Sequence, residues 1–334
     1  MSEHKKISIG VLGCSRVAKK YFLPYVKSSE FVDLGFIGSR SLERAQQFAK
    51  EYGVAKFGSY EDVINSNVDI VYISLPISMH EEWSIKAAKA GKHVLCEKSS
   101  TTSYKSAKKI TKVCKENDVR ILEAFSYRFH PQHEHVQNLI KNEIGTLQNF
   151  VGNFGFAPPP KDNIRWNKKL GGGALNDAAC YPICASRIML KKEPISVIAN
   201  LMLDKEYEVD TKADIFLKFP DKKTAFISSG FDNYYQSNYE IWGSKGKISA
   251  NRAYAVPKDF VTSIYLEKDD KIFETKFSDV NQFELMLKEF CDVIKNKKEN
   301  SFNFEEDLLN QAKVMDAIRI SSVQDKQVFL SEFN

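Results

Sequence analysis

Three short segments carry residue types that could do chemistry together. Gly13-Cys14-Ser15-Arg16-Val17-Ala18 follows a strand-like apolar run, Ile7–Leu12, and opens a helical pattern. A glycine-led turn in that context offers the free N–H groups and partial positive charge of a helix N-terminus to a dinucleotide pyrophosphate. Cys96-Glu97-Lys98 puts an amine at the end of a second strand-like run. Gly171-Gly172-Gly173-Ala174-Leu175-Asn176-Asp177-Ala178-Ala179-Cys180-Tyr181-Pro182 puts a carboxylate and a phenol four residues apart on a helical stretch, where they share a face. A Lys and a Tyr at one oxygen could pass a proton to or from a sugar-like hydroxyl or ketone. In ketone reduction Tyr181 would donate as the carbonyl oxygen becomes an alkoxide, and Lys98 would hold the same oxygen. A free phenol has a pKa of about 10, so a neighbouring ammonium helps it exchange protons near neutrality. Asp177 could bind a second substrate hydroxyl or orient Lys98. Gly171–Gly173 would let backbone approach a ligand closely. Arg165, just upstream, is a candidate contact for an anionic or polyhydroxy substrate.

The cofactor signal has internal detail. Gly13 permits the tight turn, and Ala18 stands in for the third glycine of a dinucleotide fingerprint. Ser15 occupies the second-glycine position, where its hydroxyl could donate to a phosphate. An acid at the end of the second strand would hold a ribose 2′-hydroxyl. The chain reads Phe36-Ile37-Gly38-Ser39-Arg40-Ser41 there. Ser39 and Arg40 could bind a 2′-phosphate instead, so NADP(H) is favoured over NAD(H). His80 is expected to touch the cofactor region.

These residues need elements to position them. The first ~125 residues alternate strand and helix, the pattern of a parallel sheet covered on both faces. Strands are expected at Ile7–Leu12, Phe31–Ile37, Ile70–Ser74, His93–Cys96 and Arg120–Leu122. Ser41 and Ser103 are the caps expected for helices from Leu42 and from Tyr104. After Glu123 a helix over Glu134–Lys141 leads to β-prone runs at Leu147–Phe156, Ile195–Leu203, Asp214–Phe219, Thr224–Phe231, Tyr239–Gly243 and Ser263–Leu266. One strong helix, Ala174–Leu190, interrupts them. Two amphipathic helices, Gln282–Lys297 and Phe304–Ser322, close the chain. The expected fold is α/β: a doubly wound parallel sheet over 1–123, then an α+β domain over 124–334 with a large, open, mostly antiparallel sheet.

The chain resembles the glucose-fructose oxidoreductase/inositol dehydrogenase/MocA family nearly end to end. The resemblance rests on Gly10–Ala18, Leu75-Pro76-Ile77-Ser78-Met79-His80, Gly91–Lys98, Glu123-Ala124-Phe125-Ser126-Tyr127-Arg128-Phe129-His130-Pro131, Gly145-Thr146-Leu147 and the glycine run through Tyr181. It implies a Rossmann domain, cofactor contacts from Gly13–Val17, Leu75, Pro76, His80, Glu97 and Lys98, and a C-terminal sheet whose face often serves as an oligomer interface. A dimer or tetramer is therefore expected. The family's usual Glu-Lys-Pro is Glu97-Lys98-Ser99 here, and Ile77 stands where Asn is often found. Tyr181, in place of the His of many members, looks like the branch of glucose-fructose oxidoreductase, dihydrodiol dehydrogenase, xylose dehydrogenase and nucleotide-sugar 3-ketoreductases.

Bulk properties exclude other classes. With 334 residues, 43% apolar, 27% charged and a formal charge of +5, the chain reads as a soluble two-domain protein. No basic arm or aromatic-interleaved basic patch suggests nucleic acid. No apolar run is long enough for a bilayer, and the charged start at Glu3, His4, Lys5 and Lys6 has no signal-peptide core. Six cysteines without a CxxC pair suit reduced thiols in a cytoplasmic protein. His130, His133 and His135 lack the Cys or carboxylate partners of a metal site, so no metal is expected. The expected activity is NADP(H)-dependent hydride transfer to or from a sugar ketone or secondary alcohol, with nucleotide-linked sugars included. An aldose or trans-dihydrodiol dehydrogenase is the alternative. A non-catalytic dinucleotide-binding regulator is the rival from another class.

Overall fold

The computed structural model describes residues 6–257, 259–296 and 303–333. Lys297, the expected end of the penultimate helix, and the charged residues Glu3, His4 and Lys5 lie outside them. Two compact units emerge, Met1–Ala124 with Met286–Leu309, and Phe125–Leu285 with Asn310–Asn334.

The first unit holds a six-stranded parallel sheet. Its strands are β1 (Ile7–Leu12), β2 (Val32–Gly38), β3 (Phe57–Gly58), β4 (Ile70–Ile73), β5 (His93–Cys96) and β6 (Ile121–Glu123), ordered β3-β2-β1-β4-β5-β6. All four residues of β4 are buried, as a central strand covered on both faces requires. The two-residue β3 is too short to leave a sequence pattern. A π-helical turn, Ala18–Phe22, runs into α1 (Leu23–Ser28). Then come α2 (Leu42–Tyr52), α3 (Tyr60–Ile64), α4 (His80–Lys89) and α5 (Tyr104–Glu116). Ser41 and Ser103 cap α2 and α5 by accepting from Arg44 N and Ser106 N. The strand order reverses between β1 and β4, where loops diverge and a crevice forms at the strands' carboxyl ends.

The second unit starts with α6 (Pro131–Asn142), capped by the His130 ring. Its nine strands are β7 (Leu147–Phe156), β8 (Ser196–Leu203), β9 (Asp210–Lys218), β10 (Thr224–Phe231), β11 (Gln236–Gly243), β12 (Lys247–Ala250), β13 (Thr262–Lys268), β14 (Lys271–Phe277) and β15 (Val328–Phe329). They form one sheet, β14-β13-β12-β11-β7-β10-β9-β8-β15, antiparallel except where β7 meets β10. A π-helical turn, Leu175–Ala179, precedes α7 (Cys180–Leu190). Both π turns stand just before a proline, Pro24 or Pro182. Proline removes an N–H and crowds the preceding turn; a wider turn there relieves the crowding and reassigns the carbonyl left over.

The closing helices are α8 (Gln282–Asn296) and α9 (Phe304–Gln324). The expected division at 123/124 assigns all of this to the second domain. The first unit instead takes in 286–309, because that segment packs and pairs there. Phe290 meets Phe304, Arg120 forks onto Glu305 at 2.9 Å through Nε and Nη2, and Ile121 N donates to the same carboxylate. Later in α9, Val314, Met315 and Ile318 join the core of the second unit, and Ser321 Oγ accepts from Ala199 N at the rim of β8. No described helix is long and apolar enough to cross a membrane.

Of the three histidines set aside as metal ligands in the sequence, His130 caps α6 and His133 is held in the core, and the described residues contain no group of three or more potential metal ligands. His133 is buried between Tyr239 Oη (2.9 Å from Nδ1) and Ala253 O (2.9 Å from Nε2), a pairing that suits a neutral ring. Burial pushes His133 down to about 3, and His130 and His80 down to about 4. In the unfolded chain each titrates near pH 6.5. Their stabilising contribution is therefore complete above about pH 6.5 and is lost as pH falls from there toward the folded values. Urea unfolding at pH 7 and pH 5 should show a loss of about 2 kcal/mol per buried histidine. Equal stability at the two pH values would contradict this burial.

Candidate active site

Four features of the first unit converge on the phosphate loop. Gly13 adopts φ +101°, and a Cβ there would meet Ser74 O at 2.8 Å and Leu75 Cδ2 at 2.9 Å. Only glycine allows the loop to cross so close to the end of β4. Ser15 Oγ accepts from Ala18 N at 3.0 Å, capping its own helix, and also bonds the Ser74 hydroxyl. The hydroxyl expected to meet a phosphate is thus first a local cap. Arg44 Nη2, from the first turn of α2, donates to Cys14 O at 3.0 Å. Cys14 itself is buried, and burial pushes its thiol up. An open cavity of about 580 Å³ lies here, with Arg16, Lys19, Lys20 and Arg44 among its lining.

The tip of β2 carries no acid. Ser39 is buried and accepts from Ser41 N, and Arg40 is exposed. Arg40 and Arg44 therefore flank a site that suits a 2′-phosphate dianion better than a ribose diol. Arg44 was not picked out from sequence. The signal was there: it is the third residue after the cap Ser41, a position that puts its side chain in the helix's first turn.

At the other side of the switch point, β5 ends in Cys96 and the chain continues through Glu97 and Lys98. Tyr72 Oη donates to Glu97 Oε1 at 2.6 Å. Burial raises the Glu97 carboxyl, while Tyr72, the Lys98 charge and the Lys98 backbone N–H work to keep it ionised. Tyr72 is fully buried and stacks on Phe22, ring centroids 3.8 Å apart. The Lys98–Ser99 peptide is cis. His80 is buried, with Nε2 at 2.8 Å from Leu75 O and Nδ1 at 3.0 Å from Ser99 O. The ring bridges the Leu75-Pro76 loop to the segment after Lys98, so His80 acts on the cofactor region through backbone carbonyls.

In the second unit the glycine run has a structural cause. Gly173 adopts φ +112°, and a Cβ there would collide with the Asp210 carboxylate. That carboxylate, from β9, accepts from Leu175 N and so caps the turn that leads into α7. Burial raises the Asp210 carboxyl, opposed by the Leu175 N–H and by Arg319. Gly172 passes against the Arg165 carbonyl, and Gly173 N donates to that carbonyl at 3.0 Å. The glycines expected to let backbone approach a ligand serve the chain's own contacts: they admit Asp210 and seat the Arg165 turn.

Arg165 and Asp177, candidates read separately from sequence, form one unit. Arg165 Nε donates to Asp177 Oδ2 at 2.6 Å, and its Nη1 donates to Asn163 Oδ1 at 3.3 Å. Asp177 lies in the π turn and Tyr181 in α7, so the shared face expected of one continuous α-helix is interrupted between them. The Tyr181 ring is half-buried among Phe125, Tyr127, Phe154 and Tyr254, with centroids 5.1 to 5.8 Å away. Four aromatic walls leave it little rotamer freedom.

A Gly173→Ala variant should lose the Asp210 cap and strain its backbone, at a cost of about 2–3 kcal/mol. Asp210→Asn keeps an accepting oxygen and should cost about 1 kcal/mol. Denaturant midpoints of the two variants check both, and a neutral Gly173→Ala would refute the cap.

Known proteins agree with this architecture. Residues 7–125 match the family model described as oxidoreductase family, NAD-binding Rossmann fold, and residues 133–249 match the GFO/IDH/MocA C-terminal domain. A dTDP-3,4-didehydro-2,6-dideoxy-alpha-D-glucose 3-reductase from Actinomadura kijaniata is 31% identical, over 94% of this chain and 95% of its own. A D-xylose 1-dehydrogenase (NADP(+)) from Haloferax volcanii is 30% identical, over 92% and 95%. The crystal structure of a 3-ketoreductase from Actinomadura kijaniata, in complex with NADP and TDP-benzene, superposes with a TM-score of 0.91 at 30% identity, covering 95% of this chain and 98% of the other. The chain belongs to the GFO/IDH/MocA oxidoreductase family.

Proposed function

We propose that this protein is an NADP(H)-dependent reductase of a ketone on a nucleotide-linked sugar. The observation that carries the reading is the presence of both Lys98 and the Asp177/Tyr181 pair in a chain that follows a keto-sugar reductase over 94% of its length. The β2 tip, with Ser39, Arg40 and Arg44 and no acid, supports NADP(H) over NAD(H). Gly13 and the loop after it would hold the pyrophosphate, and Leu75, Pro76 and Glu97 would border the nicotinamide half. When bound, NADPH supplies the hydride.

The chain's own residues handle the proton. Tyr181 donates its phenolic proton to the carbonyl oxygen as that oxygen gains negative charge, and Lys98 stabilises the same charge as an ammonium. Asp177, oriented by Arg165, accepts from a neighbouring sugar hydroxyl. Run in reverse, the same groups would oxidise an aldose or a trans-diol, and the likeness to the xylose dehydrogenase favours that as the second reading. All six cysteines are free and buried, which suits a reducing cytoplasm.

The partner we propose is a second copy of this chain, docked on the open face of the nine-stranded sheet. Across that face the register aligns Ile198, Phe216, Phe226 and Val151 in one row. Ile198 and Phe226 are 45% and 48% exposed. A contiguous apolar row of this kind marks an interface. Phe226→Asp should reduce the sedimenting mass to that of one chain; a wild-type protein already monomeric at micromolar concentration would refute the interface.

The activity test mixes NADPH with dTDP-linked keto-sugars, then with aldoses and diols. Tyr181→Phe should lower kcat by about 10²–10³-fold with NADPH affinity unchanged. Arg40→Ala should weaken NADPH binding and leave NADH binding as it was. Full turnover by Tyr181→Phe would remove it as the acid, and failure of every substrate with intact NADPH binding would favour the regulator.

A further inference from the structure

Two polar side chains on α9 hold the segment that carries Asp177 and Tyr181. Gln311 is 2% exposed, and both ends of its amide are used: Nε2 donates to Cys180 O at 3.0 Å, and Oε1 accepts from Arg187 Nη1 at 2.8 Å. Arg187 is itself buried and forks onto Glu193 at 2.7 and 2.9 Å, so the amide rests against a fixed guanidinium. Arg319, eight residues further along α9, donates through Nη2 to Asn176 Oδ1 and through Nη1 to Asp316 Oδ1 at 2.7 Å. Asn176 Nδ2 in turn donates to Gly171 O at 3.0 Å. Cys180 is the residue before Tyr181, and Asn176 is the residue before Asp177. All of these groups lie in the second unit.

Packing alone does not call for them. Val314, Met315 and Ile318 already give α9 its apolar contacts with the second unit's core. An amide buried at 311 is costly unless both its ends are bonded. What the segment does need is one fixed winding. Its hydrogen bonds change from the π pattern over Leu175–Ala179 to the α pattern from Cys180. A wide turn can sit at more than one place in such a helix, and each shift of one residue turns the side chains after it by about 100°. A bond to Asn176 inside the π turn and a bond to Cys180 at the head of α7 pin the junction from both sides. Directional polar bonds select one arrangement where apolar contact tolerates several.

We propose that Gln311 and Arg319 are positioning residues for the reaction: Gln311 sets the aim of the Tyr181 phenol through the Cys180 carbonyl, and Arg319 sets the place of the Asp177 carboxylate through Asn176. The inference rests on the roles proposed for Tyr181 and Asp177. The two contacts then act on different kinetic constants. Without the Gln311 bond the proton donor is misdirected and kcat falls. Without the Arg319 bond the acceptor for a sugar hydroxyl is misplaced and KM rises.

The test uses the full chain and two variants. Gln311→Glu has the same shape and still accepts from Arg187, but its carboxylate cannot donate to Cys180 O. Arg319→Met changes a partly exposed side chain, so it tests the second contact whatever the first variant does to stability. Thermal melting checks that both are folded. With 3-fluorotyrosine in place of the 14 tyrosines, the ¹⁹F resonance of Tyr181 is the one missing from Tyr181→Phe. Gln311→Glu should shift or split that resonance and leave Tyr104, in the first unit, where it was. With NADPH and a dTDP-linked keto-sugar, unlabelled Gln311→Glu should lower kcat about tenfold at unchanged KM. Arg319→Met should raise KM about tenfold at nearly unchanged kcat. An unmoved Tyr181 resonance, or a moved one with kcat unchanged in an enzyme that Tyr181→Phe inactivates, would overturn the role of Gln311. Equal loss of kcat and kcat/KM in both variants would reduce the pair to general structural support and overturn the proposal. If Gln311→Glu moved the resonance while Tyr181→Phe kept full turnover, the hold on Tyr181 would stand and its role as the acid would fall.

Discussion

The carboxylate of Asp210 occupies the space a Cβ at position 173 would need. That steric constraint orders the turn ahead of α7 in the second unit. It demands glycine at 173, and it supplies the anion that satisfies the Leu175 N–H at the head of the helix. The π turn and α7 then carry Asp177 and Tyr181 at fixed positions, with Arg165 tied in through the backbone at Gly173 and the side chain at Asp177. The four aromatic rings around Tyr181 convert a flexible phenol into a directed one. For the proton transfer proposed at Tyr181, such fixation holds the hydroxyl in one direction before a substrate arrives.

The first unit solves a matching problem with different means. Its phosphate loop needs a close backbone crossing, and Gly13 against Ser74 provides it. Ser74 bonds Ser15, and Tyr72, two residues earlier on the same strand, donates to Glu97, so one strand end serves both the loop after β1 and the segment after β5. Polar groups buried at a functional site are costly unless each is partnered. Here the partners are one another, so the cost of burying them is offset by the alignment they give.

Much of this was legible in the sequence. β1, β5, β7 and β10 have the ends that the hydropathy pattern gives; Lys6 and Gly13 bracket β1, Lys223 and Asp232 bracket β10, and Gly91-Lys92 and Gly145-Thr146 lead into β5 and β7. Ser41 and Ser103 announced their caps. What could not be read was long-range or non-periodic. Asp210 lies 35 residues from the N–H it caps. The Tyr72–Glu97 bond joins β4 to the residue just past β5, and those two strands are neighbours only after a crossover. The return of 286–309 to the first unit depends on Arg120 and Glu305, 185 residues apart. The π turns escape a 3.6-residue period by definition, although Pro24 and Pro182 mark where one is needed.

The central claim is that an ammonium and a phenol from different parts of the chain act on one oxygen. The most direct measurement is a crystal structure of the protein with NADPH and an unreactive keto-sugar analogue. The account predicts Lys98 Nζ and Tyr181 Oη both at about 2.6–3.2 Å from the ketone oxygen, with the carbonyl carbon over the nicotinamide ring. A ternary complex in which either group hydrogen-bonds elsewhere and leaves that oxygen to solvent would contradict it.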